Sequence, residues 1–127
     1  VRLYVSTNAV DTDFAAKLID VYPNGVRFNV VEGIRRLRYR DGYTVPEAVN
    51  AGQVYLLDVD LWNTSYIFNT GHRIGVLVSS SSSPHYLPNP NNGDVELGLG
   101  HDPVVAHNTV YFGGATPSAI YLPIVSK

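Results

Sequence analysis

The chain has 127 residues, 45% hydrophobic and 16% charged, and carries a formal net charge of −2. That length suits one domain whose core needs no metal or disulfide staple, and the low charged share excludes a disordered chain. The slight negative charge argues against a protein built to hold nucleic acid or an anionic membrane, and the lack of cysteine excludes thiol catalysis, iron–sulfur clusters and cysteine-bound zinc.

No window of helical length shows a 3.6-residue apolar period, whereas strand-like runs recur every ten to fifteen residues between Gly, Pro, Asn and Asp clusters. The first run is Val1–Ser6. The second is Asp13–Tyr22, with Phe14, Ala16 and Leu18 on one face. Pro23-Asn24-Gly25 supplies turn chemistry, since Pro presets φ and Gly accepts a positive φ, so a hairpin to Val26–Val31 is predicted, closed by Glu32-Gly33. The fourth run is Ile34–Arg40, which as a strand sets Arg36, Arg38 and Arg40 on one face against Leu37 and Tyr39.

A loop then spans Asp41–Gly52, with one helical turn at Pro46-Glu47-Ala48. Gln53–Leu61 is a fifth strand, Asn63–Gly71 a connector, and Arg73–Ser79 a sixth strand with Ile74, Val76 and Val78 inward. Ser79–Pro103 is loop-rich. His107–Phe112 and Ala119–Val125 complete about eight strands. Residues 1–127 are therefore expected to form a single β-sandwich or barrel. No apolar run reaches the ~18 residues of a membrane helix. The chain opens and closes inside strand-like sequence, so it is expected to be a piece of a longer polypeptide. No leader is read at Val1, and a cytoplasmic location is the expectation.

The chemistry-bearing residues form few patterns. Serines are plentiful, but no Gly-x-Ser-x-Gly nucleophile elbow is present, so Ser79–Ser83 reads as a strand end entering a polar loop. His72, His85, His101 and His107 show no ligand spacing; His101-Asp102 with His107 is the one grouping that could converge on a loop metal. Asp11 and Asp13, like Asp58 and Asp60, stand two apart and share a strand face. They could supply part of a calcium site, or neutralise the arginine stripe through charge-assisted bonds; the ion-pair lattice is the favoured reading. Trp62 reads as a core or interface anchor, and Tyr111, Phe112 and Tyr121 as sheet packing.

An ordered set of motifs resembles a known family. Val10-Asp11-Thr12-Asp13-Phe14, Leu18 to Gly25, Glu32 to Arg40, Asp60-Leu61-Trp62-Asn63-Thr64-Ser65, Gly71-His72-Arg73-Ile74 and the tail from Asn108 to Ile124 are similar to the C-terminal domain of X-Pro dipeptidyl-peptidases and cocaine-esterase-type serine hydrolases. The loop Ser81 to Leu87 and the segment Asp94 to Val105 depart from the family pattern; the loop lacks the aromatic and the arginine common there. The resemblance implies a jelly-roll sandwich of galactose-binding-like shape, lacking its first strands. It implies a non-catalytic accessory domain packed in cis on an α/β-hydrolase domain and bordering its substrate cleft, with no cofactor, and with a self-association surface left open. The alternative is a free-standing galactose-binding-like module for carbohydrate or another ligand. Candidate interdomain or ion-pair contacts are Asp11, Asp13, Arg36, Arg38, Arg40, Trp62 and Arg73; no catalytic or metal-binding residue is expected in the chain.

Overall fold

The computed structural model describes residues 1–94 and 100–125. Among them are six strands: β1 (Arg2–Thr7), β2 (Asp13–Val21), β3 (Arg27–Arg36), β4 (Tyr55–Asp58), β5 (Arg73–Ser79) and β6 (Asn108–Tyr111). They form two antiparallel sheets, ordered β4-β1-β6 and β3-β2-β5. The described residues contain no α-helix; a 3-10 turn at Leu37–Tyr39 is the one helical piece. The protein is an all-β sandwich.

Alternation explains the layers. Leu3 and Val5 of β1 and Leu57 of β4 point inward against Phe14 and Ala16 of β2, and Leu37, Tyr55 and Val59 complete the core. The β2–β3 hairpin forms where Pro23-Asn24-Gly25 placed it. Gly25 takes φ +86°, the Tyr22 amide donates to the Val26 carbonyl at 2.8 Å, and the Val26 amide donates to Asn24 Oδ1 at 3.1 Å.

Several predicted boundaries move. Glu32-Gly33 does not close a strand: β3 runs through it, paired with β2 at Lys17↔Glu32 and Ala16↔Gly33. The strand ends at Arg36 because the chain then tightens into the 3-10 turn, which buries Leu37 completely. Arg36, Arg38 and Arg40 therefore do not form one strand face. The turn expected at Pro46–Ala48 is absent; the helical hydrogen bonding falls instead at Leu37–Tyr39. The fifth strand shrinks to Tyr55–Asp58. The last one, Ala119–Val125, reduces to a single bridge between Ala119 and Arg2, and Pro123, which lacks an amide, lies in the part that leaves the sheet. On β5 Val78 packs against the core; Ile74 and Val76, on the same face by alternation, stay exposed.

One close approach fixes how the sheets join. A Cβ built on Gly33 would stand 1.9 Å from the Asp60 carbonyl oxygen. Glycine is required there by space and not by φ: the chain leaving β4 crosses directly over β3. It continues past Phe28 on β3 and Asp20 on β2, then enters β5, making residues 60–72 an arch over one end of the sandwich. Gly33→Ala should push this crossing apart and destabilise the fold by about 1–3 kcal/mol. Urea unfolding should show a lower midpoint with unchanged slope. An unmoved midpoint would mean that the crossing relaxes without loss.

Candidate functional site

The largest polar cluster gathers residues far apart in sequence. Asp11 and Asp13 are almost fully buried just before and at the start of β2. Arg36 Nε donates to Asp13 Oδ1 at 3.0 Å and lies 3.7 Å from Asp11 Oδ2. Arg38 Nε donates to Asp11 Oδ2 at 2.7 Å, and its amide donates to Oδ1 at 3.1 Å. Asn89 Nδ2 bridges the two carboxylates at 3.1 and 2.8 Å. The other guanidinium nitrogens of Arg38 reach the carbonyls of Gly93 and Asp94, each at 2.8 Å. The cluster thus ties the 89–94 loop to the β2–β3 sheet. Burial raises the Asp13 carboxyl above its usual range, against the lowering effect of Asn89 and Arg36.

The remaining candidates lie elsewhere. Arg40 bonds Glu47 at 2.8 Å and covers the Tyr55 ring. Asp58 pairs with Arg2 at 3.0 Å, and Asp60 Oδ1 accepts the Trp62 amide at 2.7 Å. Arg73 is exposed at the start of β5. Trp62 is not a core residue: its side chain is 75% exposed, because the arch turns it outward. Phe112 and Tyr121 are likewise exposed and do not pack in a sheet.

Two further carboxylates organise loops. Glu32 on β3 receives Lys17 from β2 at 2.7 Å, Ser82 at 3.0 Å and His85, clamping the serine-rich loop onto the sheet. The Lys17 hydrogen bond, with that of His85 next, holds the Glu32 carboxyl down at about 2, from an ordinary 4.5. Asp20, fully buried on β2, accepts Tyr66 at 2.9 Å and His72 Nδ1 at 2.8 Å; the Tyr22 and His72 rings lie 4.3 Å apart. Burial, then the bond to Asp20, raises the Tyr66 hydroxyl above its usual range. Sequence reading missed Asp20, although a signal existed. It continues the inward series Phe14, Ala16, Leu18, and an acid on a core face calls for partners.

These groupings brace loops. In the Glu32 and Asp20 clusters the hydroxyl and the imidazole both bond the carboxylate and not each other, which is not the bonding order of a serine–histidine–acid triad. Among the described residues no three metal-ligating side chains come together, and no helix is long and apolar enough to cross a membrane. One concave feature is an apolar groove of about 310 Å³ between the outer strands β5 and β6, lined by Leu3, Val76, Val78, Phe112 and Ile120, with Ser118 at its side.

Fold and site together define a β-sandwich whose polar residues hold loops in place and whose apolar groove is left open. Residues 1–121 match the family described as the X-Pro dipeptidyl-peptidase C-terminal non-catalytic domain, and the chain belongs to that family. It is 43% identical over 130 aligned residues to the cocaine esterase of Rhodococcus sp. (strain MB1 Bresler), a match covering 99% of this chain and 22% of the esterase. An α-amino acid ester hydrolase superposes with a TM-score of 0.79 at 32% identity, over 87% of this chain and 20% of that one. An aminopeptidase from the marine sediment archaeon Thaumarchaeota archaeon does so with a TM-score of 0.78 at 30% identity, with the same coverage. The chain thus spans about a fifth of the length of these relatives.

Asp11→Ala would leave the Arg38 guanidinium, and one side of Arg36, without its buried counter-charge, and should destabilise the fold by about 3 kcal/mol, measured by chemical unfolding. A loss below 1 kcal/mol would mean that solvent replaces the carboxylate. Acid stability gives a second check. Because the folded Glu32 carboxyl lies below its ordinary 4.5, its stabilising effect is whole above that pH and disappears as pH falls toward about 2. Asp13 works in the opposite sense, since its raised carboxyl opposes folding at neutral pH and that opposition eases on acidification. Glu32→Gln should therefore flatten the decline in stability between pH 4.5 and 2. An unchanged acid limb would assign that decline to other groups.

Proposed function

We propose that residues 1–127 form one accessory C-terminal domain of a serine hydrolase that acts on ester, amide or X-Pro peptide bonds. The domain packs against the α/β-hydrolase domain of the same polypeptide and borders its substrate cleft. There, a serine outside this chain attacks the substrate carbonyl carbon. A histidine takes the hydroxyl proton and returns it to the leaving group, and water then releases the acyl-enzyme. This chain contributes surface and rigidity to that site.

The observation that carries the reading is the apolar groove along the β5–β6 side of the sandwich. Val76 and Ile74 belong to the inward face of β5 by alternation, yet they are 40% and 48% exposed. An inward apolar face left partly exposed calls for a partner surface, and interfaces between domains of one chain commonly bury roughly 600–1,500 Å². A carbohydrate site would need convergent polar groups beside an exposed ring. The groove lining, with Ser118 as its one hydroxyl, does not provide them.

Val76→Asp in the full-length protein sets a charge in the groove, and calorimetry should then resolve two unfolding transitions where the unmodified protein shows one. The isolated chain should hydrolyse p-nitrophenyl acetate no faster than buffer. A single, unshifted transition would move the interface away from the groove, and turnover by the isolated chain would overturn the accessory role.

A further inference from the structure

Trp62, the one tryptophan of the chain, is held outward by more than chance exposure. Its backbone takes φ +61°, a left-handed conformation that bulky side chains rarely adopt. Two contacts impose it. Asp60, immediately upstream, is pressed against β3 where Gly33 leaves room for its carbonyl, and the Asp60 carboxylate accepts the Trp62 amide at 2.7 Å. Downstream, the arch is pinned again where Tyr66 and His72 meet the buried Asp20 carboxylate. Between these two feet the indole is 75% exposed and is followed by the exposed polar residues Asn63, Thr64 and Ser65. A rigidly presented aromatic beside polar groups has the composition of an interface hot spot.

We infer that Trp62 is the anchor by which the arch docks into an apolar pocket on the catalytic domain of the same polypeptide, a second contact separate from the groove. The inference rests on the interdomain reading above. The length of the relatives favours this occupant: about four-fifths of each lies outside the region this chain matches, and a tethered neighbour meets the indole at high effective concentration. A sugar is disfavoured because Asp60 Oδ1, two residues before the indole, is already engaged by the Trp62 amide.

The test uses the full-length protein with the photo-crosslinker p-benzoylphenylalanine in place of Trp62 and, separately, of Val76. Crosslinks from position 62 to peptides of the catalytic domain in the same molecule support the anchor. Crosslinks from position 76 without any from 62 overturn the anchor and leave the groove interface standing; crosslinks from neither overturn both. A crosslink from 62 to a second copy also overturns the proposal. Trp62→Gly relaxes the positive φ while deleting the indole, so the domain keeps its fold. Proteolytic separation of the two domains should then be about tenfold faster, with Trp62→Phe in between. A Trp62→Gly protein as resistant as its parent would refute the anchor.

Discussion

The architecture depends on the place where the chain leaving β4 crosses β3 with no room for a side chain. The Asp60 carbonyl occupies the volume that a Cβ on Gly33 would fill. Because of that contact, the edge of one sheet is tied to the edge of the other at van der Waals distance. Val59 is carried into the core beside Gly33, and the arch starts from a fixed point and direction. The same crossing sets the Trp62 backbone in its left-handed conformation, so a constraint of packing becomes a constraint on what the surface displays.

The second organising feature is how the sandwich handles buried acids. Asp11, Asp13 and Asp20 lie on or beside β2, where an unpaired carboxylate would be strongly unfavourable. Each gathers donors from outside the strands: Asn89 from one loop, Arg38 from the 3-10 turn, Tyr66 and His72 from the arch. With six strands for about 120 described residues, much of the chain is loop. The carboxylates give those loops definite positions. A domain proposed to present surfaces to a neighbour gains rigidity from this arrangement.

The two flanks of the sandwich differ. On the β3–β4 side, the crossing at Gly33 and the arch cover the ends of the sheets. On the β5–β6 side Ile74 and Val76 of β5 stay exposed, and an apolar groove remains. Family membership and the short share of each relative that this chain covers support the proposal of a domain within a larger hydrolase. The open flank and the displayed indole are the two features on which that larger assembly is proposed to form.

Alternation and turn chemistry were readable in the residues themselves. They yield the all-β class, β1, β2 and β5 close to their observed limits, the Pro23-Asn24-Gly25 hairpin and the connector from Asn63 to Gly71, because each depends on neighbours within a few positions. The extent of β3 was not readable: Gly33 resembles a stop until Asp60 is seen against it. Nor was the path of Arg38, whose strand-like spacing dissolves into a 3-10 turn once Asp11 draws its amide and guanidinium. Val76 reads as core by period, yet it stays exposed, because its burial depends on what distant segments bring against that face. Trp62 reads as a core or interface anchor from its neighbours in the chain, and which of the two it is depends on Gly33, twenty-nine positions earlier in the numbering. Local pattern decides which residues can form a strand or a turn. Which faces are covered, which acids find partners and which aromatic stands in water are decided only when distant segments compete for the same space.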